Sequence, residues 1–317
     1  MEFLIMVKSV YFHIPFCEQI CYYCDFNKVF LKNQPVEEYL RAMAIEMNNT
    51  VQRFGDHRMK TFYVGGGTPT SLSLEQLEQF LTSIHDTFQL EDHYEFTFEA
   101  NPSNVDSDKL KLLKEYGVNR LSIGVQTFDD ALLKKIGRDH TREHIFSIIH
   151  HARQVGFDNI SIDLMYRLPE QTITMFEQSI QEALSLQIDH ISAYGLQVEP
   201  QTVFYNHMRQ GKLVLPAEDD EVTMFEMLID TLRKHGFQHY EISNFAKLGK
   251  ESKHNLTYWN NDDYYGIGAG AHSYVQGVRR RNAGPIQHYI NCIEEKQFPY
   301  LEEIDVTEKE KMEEELF

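Results

Sequence analysis

Six short apolar runs, at residues 9–15, 60–64, 94–98, 120–125, 159–164 and 190–196, alternate along the chain with longer stretches of helical spacing. Those stretches lie at 36–54, 74–88, 107–116, 142–155 and 173–186. The short runs are apolar almost throughout rather than at every second residue, as expected of strands in a parallel sheet covered by helices. Ser73 with Gln76 predicts a capping box, Asp106 an N-cap, and Gly117 and Gly156 the left-handed turns that end two helices. The alternation sets an α/β class. Strand order is not written in it, so a barrel and an open doubly wound sheet both remain.

The ends of the runs carry the chemistry. The second gives Gly65-Gly66-Gly67-Thr68-Pro69 and the third Glu99-Ala100-Asn101-Pro102, while the fourth reaches Gln126. The fifth holds Asp163, and the sixth leads into Gln197 and Glu199. Any loop start tends to be polar. Repetition over five strands, beside a cluster of cysteines after the first, is what a barrel with its active site on one face produces. Beyond residue 200 the pattern predicts a helix at 220–235 closed by Gly236, a strand at 239–242, and a helix at 285–295 carrying Cys292. Residues 243–277 are rich in aromatic, Asn and Gly residues without a clean period, and read as an ordered excursion over the active face. Thr307 with Glu310 opens a last helix that runs to Leu316 and Phe317 without a stop signal, which predicts continuation into a further small domain.

With 317 residues, 42 % of them hydrophobic, the chain can build a substantial core. Thirty basic against 48 acidic residues leave a net charge of −18, which argues against general nucleic-acid binding through phosphate neutralisation. No run approaches the roughly 20 apolar residues of a membrane helix, and the first residues lack the basic leader of a signal peptide. A reducing cytoplasm is the expected location. Three of the four cysteines, Cys17, Cys21 and Cys24, fall within eight residues, and Cys292 stands far off as a small buried residue. There is no second Cys-x-x-Cys pair for a structural zinc, although His13 could complete a three-cysteine site. The alternative is a [4Fe–4S] cube held at three corners, one iron being left open for an outside ligand.

The string Tyr11-Phe12-His13-Ile14-Pro15-Phe16-Cys17-Glu18-Gln19-Ile20-Cys21-Tyr22-Tyr23-Cys24 resembles the cluster loop of the radical S-adenosylmethionine superfamily. Within it, nearly the whole chain resembles the oxygen-independent coproporphyrinogen III oxidase family. The resemblance implies a partial TIM-like (β/α)6 barrel over residues 1–200, a family-specific extension over 201–300, and at 301–317 the start of a truncated helical domain. In that superfamily the open iron chelates the methionine amino and carboxylate groups. An electron from the reduced cube then cleaves the sulfonium to a 5′-deoxyadenosyl radical. By resemblance, Tyr11 lies beside the cluster and Tyr23 near adenine, while Gly66, Gly67 and Thr68 meet the methionyl amino group. Glu99, Gln126, Arg138 and Asp163 match ligand-contact positions, whereas Arg138 on its own would read as a solvated helix end. Which of Glu99 and Asp163 faces the sulfonium side and which the ribose stays open.

Two departures separate the chain from the decarboxylating oxidases: Phe26 stands where they carry a fourth cysteine, and their longer N-terminal extension has no counterpart. The segment His254-Asn255-Leu256-Thr257-Tyr258-Trp259 instead resembles the His-Asn-x-x-Tyr-Trp motif of the haem chaperone (HemW-type) branch. That implies haem as cargo, haem-requiring respiratory proteins as recipients, visits to the membrane surface during delivery, and a homodimer as one candidate assembly. It also makes His254 the expected haem contact, axial or through a more persistent attachment. A radical enzyme acting on a porphyrin is the alternative, and a zinc-stabilised barrel the blander one. Gly266-Ile267-Gly268-Ala269-Gly270-Ala271-His272-Ser273 lacks the strand-turn-helix context of a dinucleotide fingerprint; the resemblance puts it near the adenosine.

Overall fold

A computed structural model describes residues 6–314. Its centre is the expected alternation. Strands β1 (Ser9–Ile14), β2 (Arg58–Gly66), β3 (Gln89–Ala100), β4 (Arg120–Gln126), β5 (Ile160–Tyr166) and β6 (His190–Gly195) pair side by side, all parallel, in sequence order. Helices α1 (Val36–Phe54), α2 (Leu74–Thr87), α3 (Ser107–Glu115), α4 (Asp130–Lys135), α5 (Arg142–Val155) and α6 (Ile173–Ser185) lie in the crossovers. The caps read from the sequence are in place. Ser73 and Gln76 bond reciprocally (3.0 and 3.2 Å), and the Asp106 carboxylate accepts from the backbone of Asp108 and Lys109. Gly156 ends α5 at φ 96°.

The apolar faces meet in one core. Phe12, Phe62, Phe80, Phe88 and Phe96 from β1, β2, α2 and β3 stack edge to face with centroids 5.1–6.1 Å apart. All of them are buried. Parallel strands sealed in this way deliver their C-terminal ends to one rim, and that rim carries the polar residues.

The extension departs from the sequence reading. Helices α7 (Val203–Arg209) and α8 (Glu218–Lys234) are followed by a hairpin of β7 (Phe237–His239) and β8 (Asn244–Lys247), with β8 antiparallel to β6. Of the strand expected at 239–242 only His239 lies in a strand, and the rest is the bend of that hairpin. The excursion at 243–277 is more than a cover. After α9 (Lys253–Trp259), strand β9 (Tyr264–Ile267) pairs with β1 in parallel, Ser9 opposite Tyr264 and Phe12 opposite Ile267. Strands β10 (His272–Val275), β11 (Val278–Asn282) and β12 (Tyr300–Asp305) continue as an antiparallel meander. The described residues therefore form a twelve-stranded sheet with β7 and β12 as free edges, a partial barrel. Residues 301–305, expected within a helical domain, belong to this sheet. The Thr307–Glu310 box does open a helix, α11 (Glu308–Glu314). Leu316 and Phe317 lie outside the described residues. Cys292, on α10 (Ile286–Glu294), is half-buried rather than buried.

One carboxylate ties the extension to the barrel. Glu46 of α1, 1 % exposed, accepts from Gly268 N (2.8 Å), Asn282 Nδ2 (2.7 Å) and the Tyr289 hydroxyl (2.5 Å). Burial pushes its pKa up to about 7 from 4.5, against the pull of these three donors. A folded-state value above the unfolded one makes the protonated form the stabilising one. The contribution is complete below the unfolded value and fades as pH rises through the folded one. Against a Glu46→Gln variant, wild-type unfolding free energy should fall by on the order of 3 kcal/mol from about pH 4.5 to 8. Urea titrations of both proteins at several pH values check this, and parallel pH profiles would refute it.

Candidate functional site

The cysteine loop leaves β1 at Pro15 and is closed by a two-residue pairing, Phe16–Cys17 with Val29–Phe30. Between these ends it is pinned from three sides. Tyr22 N–H donates to the Ile136 carbonyl (3.0 Å) and Phe204 N–H to the Tyr22 carbonyl (3.0 Å). Asn27 Nδ2 donates to the carbonyls of Ala269 (2.9 Å) and Gly284 (3.1 Å). The loop thereby presents Cys17, Cys21 and Cys24 to a cavity of about 470 Å³ at the C-terminal rim of the sheet.

Nearly every residue expected at the site meets there. Tyr23 joins the cysteines on one wall, and Gly66, Gly67 and Thr68 follow at the end of β2. Glu99 and Gln126 come from the ends of β3 and β4, Asp163 from the middle of β5, and Arg138 from the segment after α4. Far from being a solvated helix end, Arg138 folds back so that Nη2 donates to the Gly124 carbonyl (2.9 Å). Gln126 holds φ 68° beside a register shift in β4, a strained backbone of the kind found at functional sites. Thr68 Oγ1 donates to Cys17 Sγ (3.5 Å).

Buried charge of both signs is the mark of this cavity. Glu99 accepts from Tyr63 (2.7 Å) and Gly66 N–H (3.2 Å), yet burial, with Asp163 adding to it, pushes it up to about 7. Burial likewise raises Asp163 to about 6, opposed by Ser192, Arg138 and Arg120. Burial works against the Arg138 charge, but Cys21, Tyr23 and Asp163 more than offset it and hold the guanidinium above its ordinary range. Arg120 Nε and Arg138 Nε are buried without a partner. Burial lifts the Cys17 thiol to about 11 and raises Cys24 too, so each needs a cation at the sulfur to ionise near neutrality.

Gly66 is glycine for a local reason. Its φ is 116°, and a Cβ would stand 2.7 Å from the His13 ring. The stretch expected near adenosine does something else as well: Gly270 leaves room for Asn27 Nδ2, 2.5 Å from where its Cβ would be, and so lets the cysteine loop dock. Gly270, Ala271 and His272 line a second, open cavity of about 680 Å³. Tyr11 also lines this second cavity, with His13, Tyr258, Tyr264, Arg279 and Arg281. Phe26, Gly66 and Glu99 border both cavities, and α9 stands between them, Asn255 facing the first and Tyr258 the second.

His254 departs from its expected role as a haem contact. The ring is fully buried and lines neither cavity; Nδ1 is 2.8 Å from Thr61 Oγ1 and Nε2 is 2.8 Å from the Tyr258 hydroxyl. With both nitrogens engaged, burial, with Arg120 adding to it, lowers its pKa to about 3. The motif residue that reaches the second cavity is Tyr258. His13 cannot complete a zinc site for the same reason, its nitrogens being held by Tyr11 (2.9 Å) and the Asn27 carbonyl (2.8 Å). No group of three His, Cys, Asp or Glu among the described residues is placed to hold a single metal ion. The residues do fit a larger group: three thiols on one wall of a cavity, with a neighbouring guanidinium whose Nε is unpartnered.

Sequence reasoning missed Arg120 and Tyr63 in the first cavity and Arg279 and Arg281 in the second. Arg120, a charge opening an otherwise apolar run, was the available signal; Tyr63 looks like any strand aromatic.

Residues 11–183 match the Radical SAM superfamily. The chain is 54 % identical over 312 residues to the haem chaperone HemW of Bacillus subtilis, spanning 98 % of this chain and 82 % of that one. It is 46 % identical to the HemW of Lactococcus lactis, spanning 98 % and 80 %. Among solved structures, the coproporphyrinogen III oxidase HemN of Escherichia coli, a radical SAM enzyme, superposes with a TM-score of 0.88 at 26 % identity, over 99 % of this chain and 75 % of that one. Arrived at through the cysteine loop, the rim of strand ends and then these likenesses, the conclusion is that the chain belongs to the radical SAM superfamily and, within it, to the HemW family.

Proposed function

We propose that the protein is a haem chaperone that keeps a radical-SAM site: a [4Fe–4S] cluster on Cys17, Cys21 and Cys24, S-adenosylmethionine in the same cavity, and haem beside α9 for delivery to haem-requiring respiratory proteins. The observation that carries it is the pair of adjoining cavities sharing Glu99 and divided by the His254–Trp259 helix. When bound, the cluster and S-adenosylmethionine supply a reducible sulfonium. The chain's own residues do the rest. Glu99 and Asp163 offer carboxylates to the cationic part of the ligand, Arg120 and Arg138 offer free N–H donors to its anionic part, and Tyr23 and Gln126 wall its sides. Tyr11, on the other side of Gly66, belongs to the haem side in this reading.

In organisation, the described part of residues 1–200 is taken as the barrel, 201–300 as the family-specific extension, and 301–314 as the rest of its edge strand and a short helix. Among the described residues no helix is long and apolar enough to cross a membrane; delivery to a membrane-bound recipient is proposed to take place at the membrane surface. A porphyrin oxidase is the second reading, favoured by the superposition on HemN. Against it, Phe26, 65 % exposed between the two cavities, replaces the fourth cysteine of that enzyme type by resemblance.

Titration of the anaerobically reconstituted protein with haem should show one saturable site by absorption. Absence of saturation rejects the carrier reading, and protoporphyrinogen formation from coproporphyrinogen III installs the oxidase in its place. Replacing Cys17, Cys21 or Cys24 by Ala should abolish stable loading of iron and acid-labile sulfide, since each thiol holds one corner; full loading of a Cys21→Ala protein would refute the assignment. The raised carboxyl pKa values give a third expectation. Well below pH 6 both are protonated and lose their attraction for a cation, so S-adenosylmethionine affinity should rise about tenfold or more from about pH 5 to 8. Glu99→Gln should flatten that rise, as read by equilibrium dialysis, and an unchanged profile would count against the pairing.

A further inference from the structure

The second cavity holds several tyrosines, and their hydroxyls are not equivalent. His13 gives its Nε2–H to the Asn27 carbonyl (2.8 Å), which leaves Nδ1 as an acceptor and commits the Tyr11 proton to it (2.9 Å). Tyr264 turns its ring edge-on to Tyr258, 4.7 Å between centroids, and serves as wall. The ring of Tyr274 is covered by the Arg279 guanidinium at 5.5 Å. Tyr258 differs. Its hydroxyl stands 2.8 Å from His254 Nε2, and the opposite nitrogen stands 2.8 Å from Thr61 Oγ1, a group that both donates and accepts. The neutral His254 ring can therefore carry its proton on either nitrogen. With the proton on Nε2 it donates to the Tyr258 oxygen, leaving lone pairs of that oxygen for a ligand in the cavity.

The Tyr258 mount is rigid. The backbone N–H groups of Lys253 and His254 donate to the buried Glu95 carboxylate (3.0 and 3.1 Å), which anchors the start of α9 to β3. Elsewhere on the cavity wall are Arg279 and Arg281, two residues apart on β11 and so on one face, about 6.6 Å from each other along the strand. Arg280 between them turns into the interior toward Glu303 (2.8 Å). Arg279 is held by Glu314 (2.7 and 2.6 Å) and Arg281 by Glu302 (3.3 Å), half-exposed pairs that an incoming carboxylate can replace at little cost.

We propose that the second cavity is the haem seat, with the Tyr258 oxygen as iron ligand, His254 as the positioning residue behind it, and Arg279 and Arg281 receiving the two carboxylates of the macrocycle. The proposal rests on the haem-carrier reading above. One bond forms, from the phenolate oxygen to ferric iron. The phenol proton leaves to water at the open mouth, the iron keeps its oxidation state, and the imidazole stays neutral throughout.

The test uses the full chain loaded with ferric haem, followed by absorption and electron paramagnetic resonance. The wild type should give the high-spin rhombic signal and charge-transfer band of a phenolate ligand. Tyr258→Phe should remove that signature and weaken haem binding about tenfold or more, while iron-free protoporphyrin IX still binds it as it binds the wild type. His254→Gln, whose amide can donate to the same oxygen, should keep phenolate ligation, and His254→Ala should shift the band. Arg279→Gln with Arg281→Gln should weaken haem and protoporphyrin alike but leave protoporphyrin dimethyl ester unaffected. A Tyr258→Phe protein with the wild-type spectrum and affinity overturns the proposal, as does a wild-type imidazole spectrum that His254→Gln abolishes. Saturable binding in those two cases leaves the carrier reading standing; no saturable haem binding by the wild type removes both. Thermal unfolding of each variant confirms that the comparison is between folded proteins.

Discussion

Strand β1 is hydrogen-bonded in parallel on both sides, to β2 from Ser9 to Ile14 and to β9 from Ser9 to Phe12. That double pairing fixes everything at the rim. A strand parallel to both neighbours points its C-terminal end at the same rim as theirs, so the cysteine loop after Pro15, the glycine turn after β2 and the Gly266–Ser273 turn after β9 arrive together. Gly270 of the last turn leaves room for Asn27, whose amide donates to the Ala269 carbonyl, and Asn27 in turn holds the loop at Cys24's end. Remove the pairing on the β9 side and the loop loses its anchor, although no residue of β9 lies in the cysteine cavity.

The extension shares the barrel's apolar core, with Leu228, Phe245, Ile267 and Ile290 buried in it, and buried carboxylates fix how it docks. Glu46 gathers three donors from β9–α10, and Glu95 gathers the start of α9. Such groups are costly unless every oxygen is satisfied, and satisfied they define a single geometry. At α9 that geometry has a functional consequence. The helix is short, only seven residues, and would be marginal alone. Glu95 holds its first turn while His254 stacks on Tyr63 at 5.2 Å, so Asn255 and Tyr258 are aimed at different cavities from one rigid mount.

This division explains what the sequence disclosed. The barrel was legible because helices such as α1 and α5 are long enough to show their period and because buried parallel strands are continuous apolar runs. The site was legible because five of those runs end in residues that have no business in a core. Strands β9 and β10 were not legible: four residues each and separated by a glycine-rich turn, they carry no measurable period. His254 misled for a different reason. A motif marks residues that matter without saying whether they touch the ligand, and only the bonds to Thr61 and Tyr258 show that this imidazole is spent on its neighbours. Gly66 is similar, for its missing side chain makes room for His13 from within the protein.

The electrostatics of the cysteine cavity complete the picture. Glu99 is bonded to the neutral Tyr63 hydroxyl and Asp163 to Ser192, while Arg120 Nε and Arg138 Nε have no partner at all. Charges of both signs thus sit a short way apart without being spent on one another, each paying a desolvation cost. With Arg138 bonded to the Gly124 carbonyl and Asp163 to Ser192, both signs stay available in one cavity, which is why a zwitterionic ligand such as S-adenosylmethionine is proposed for it.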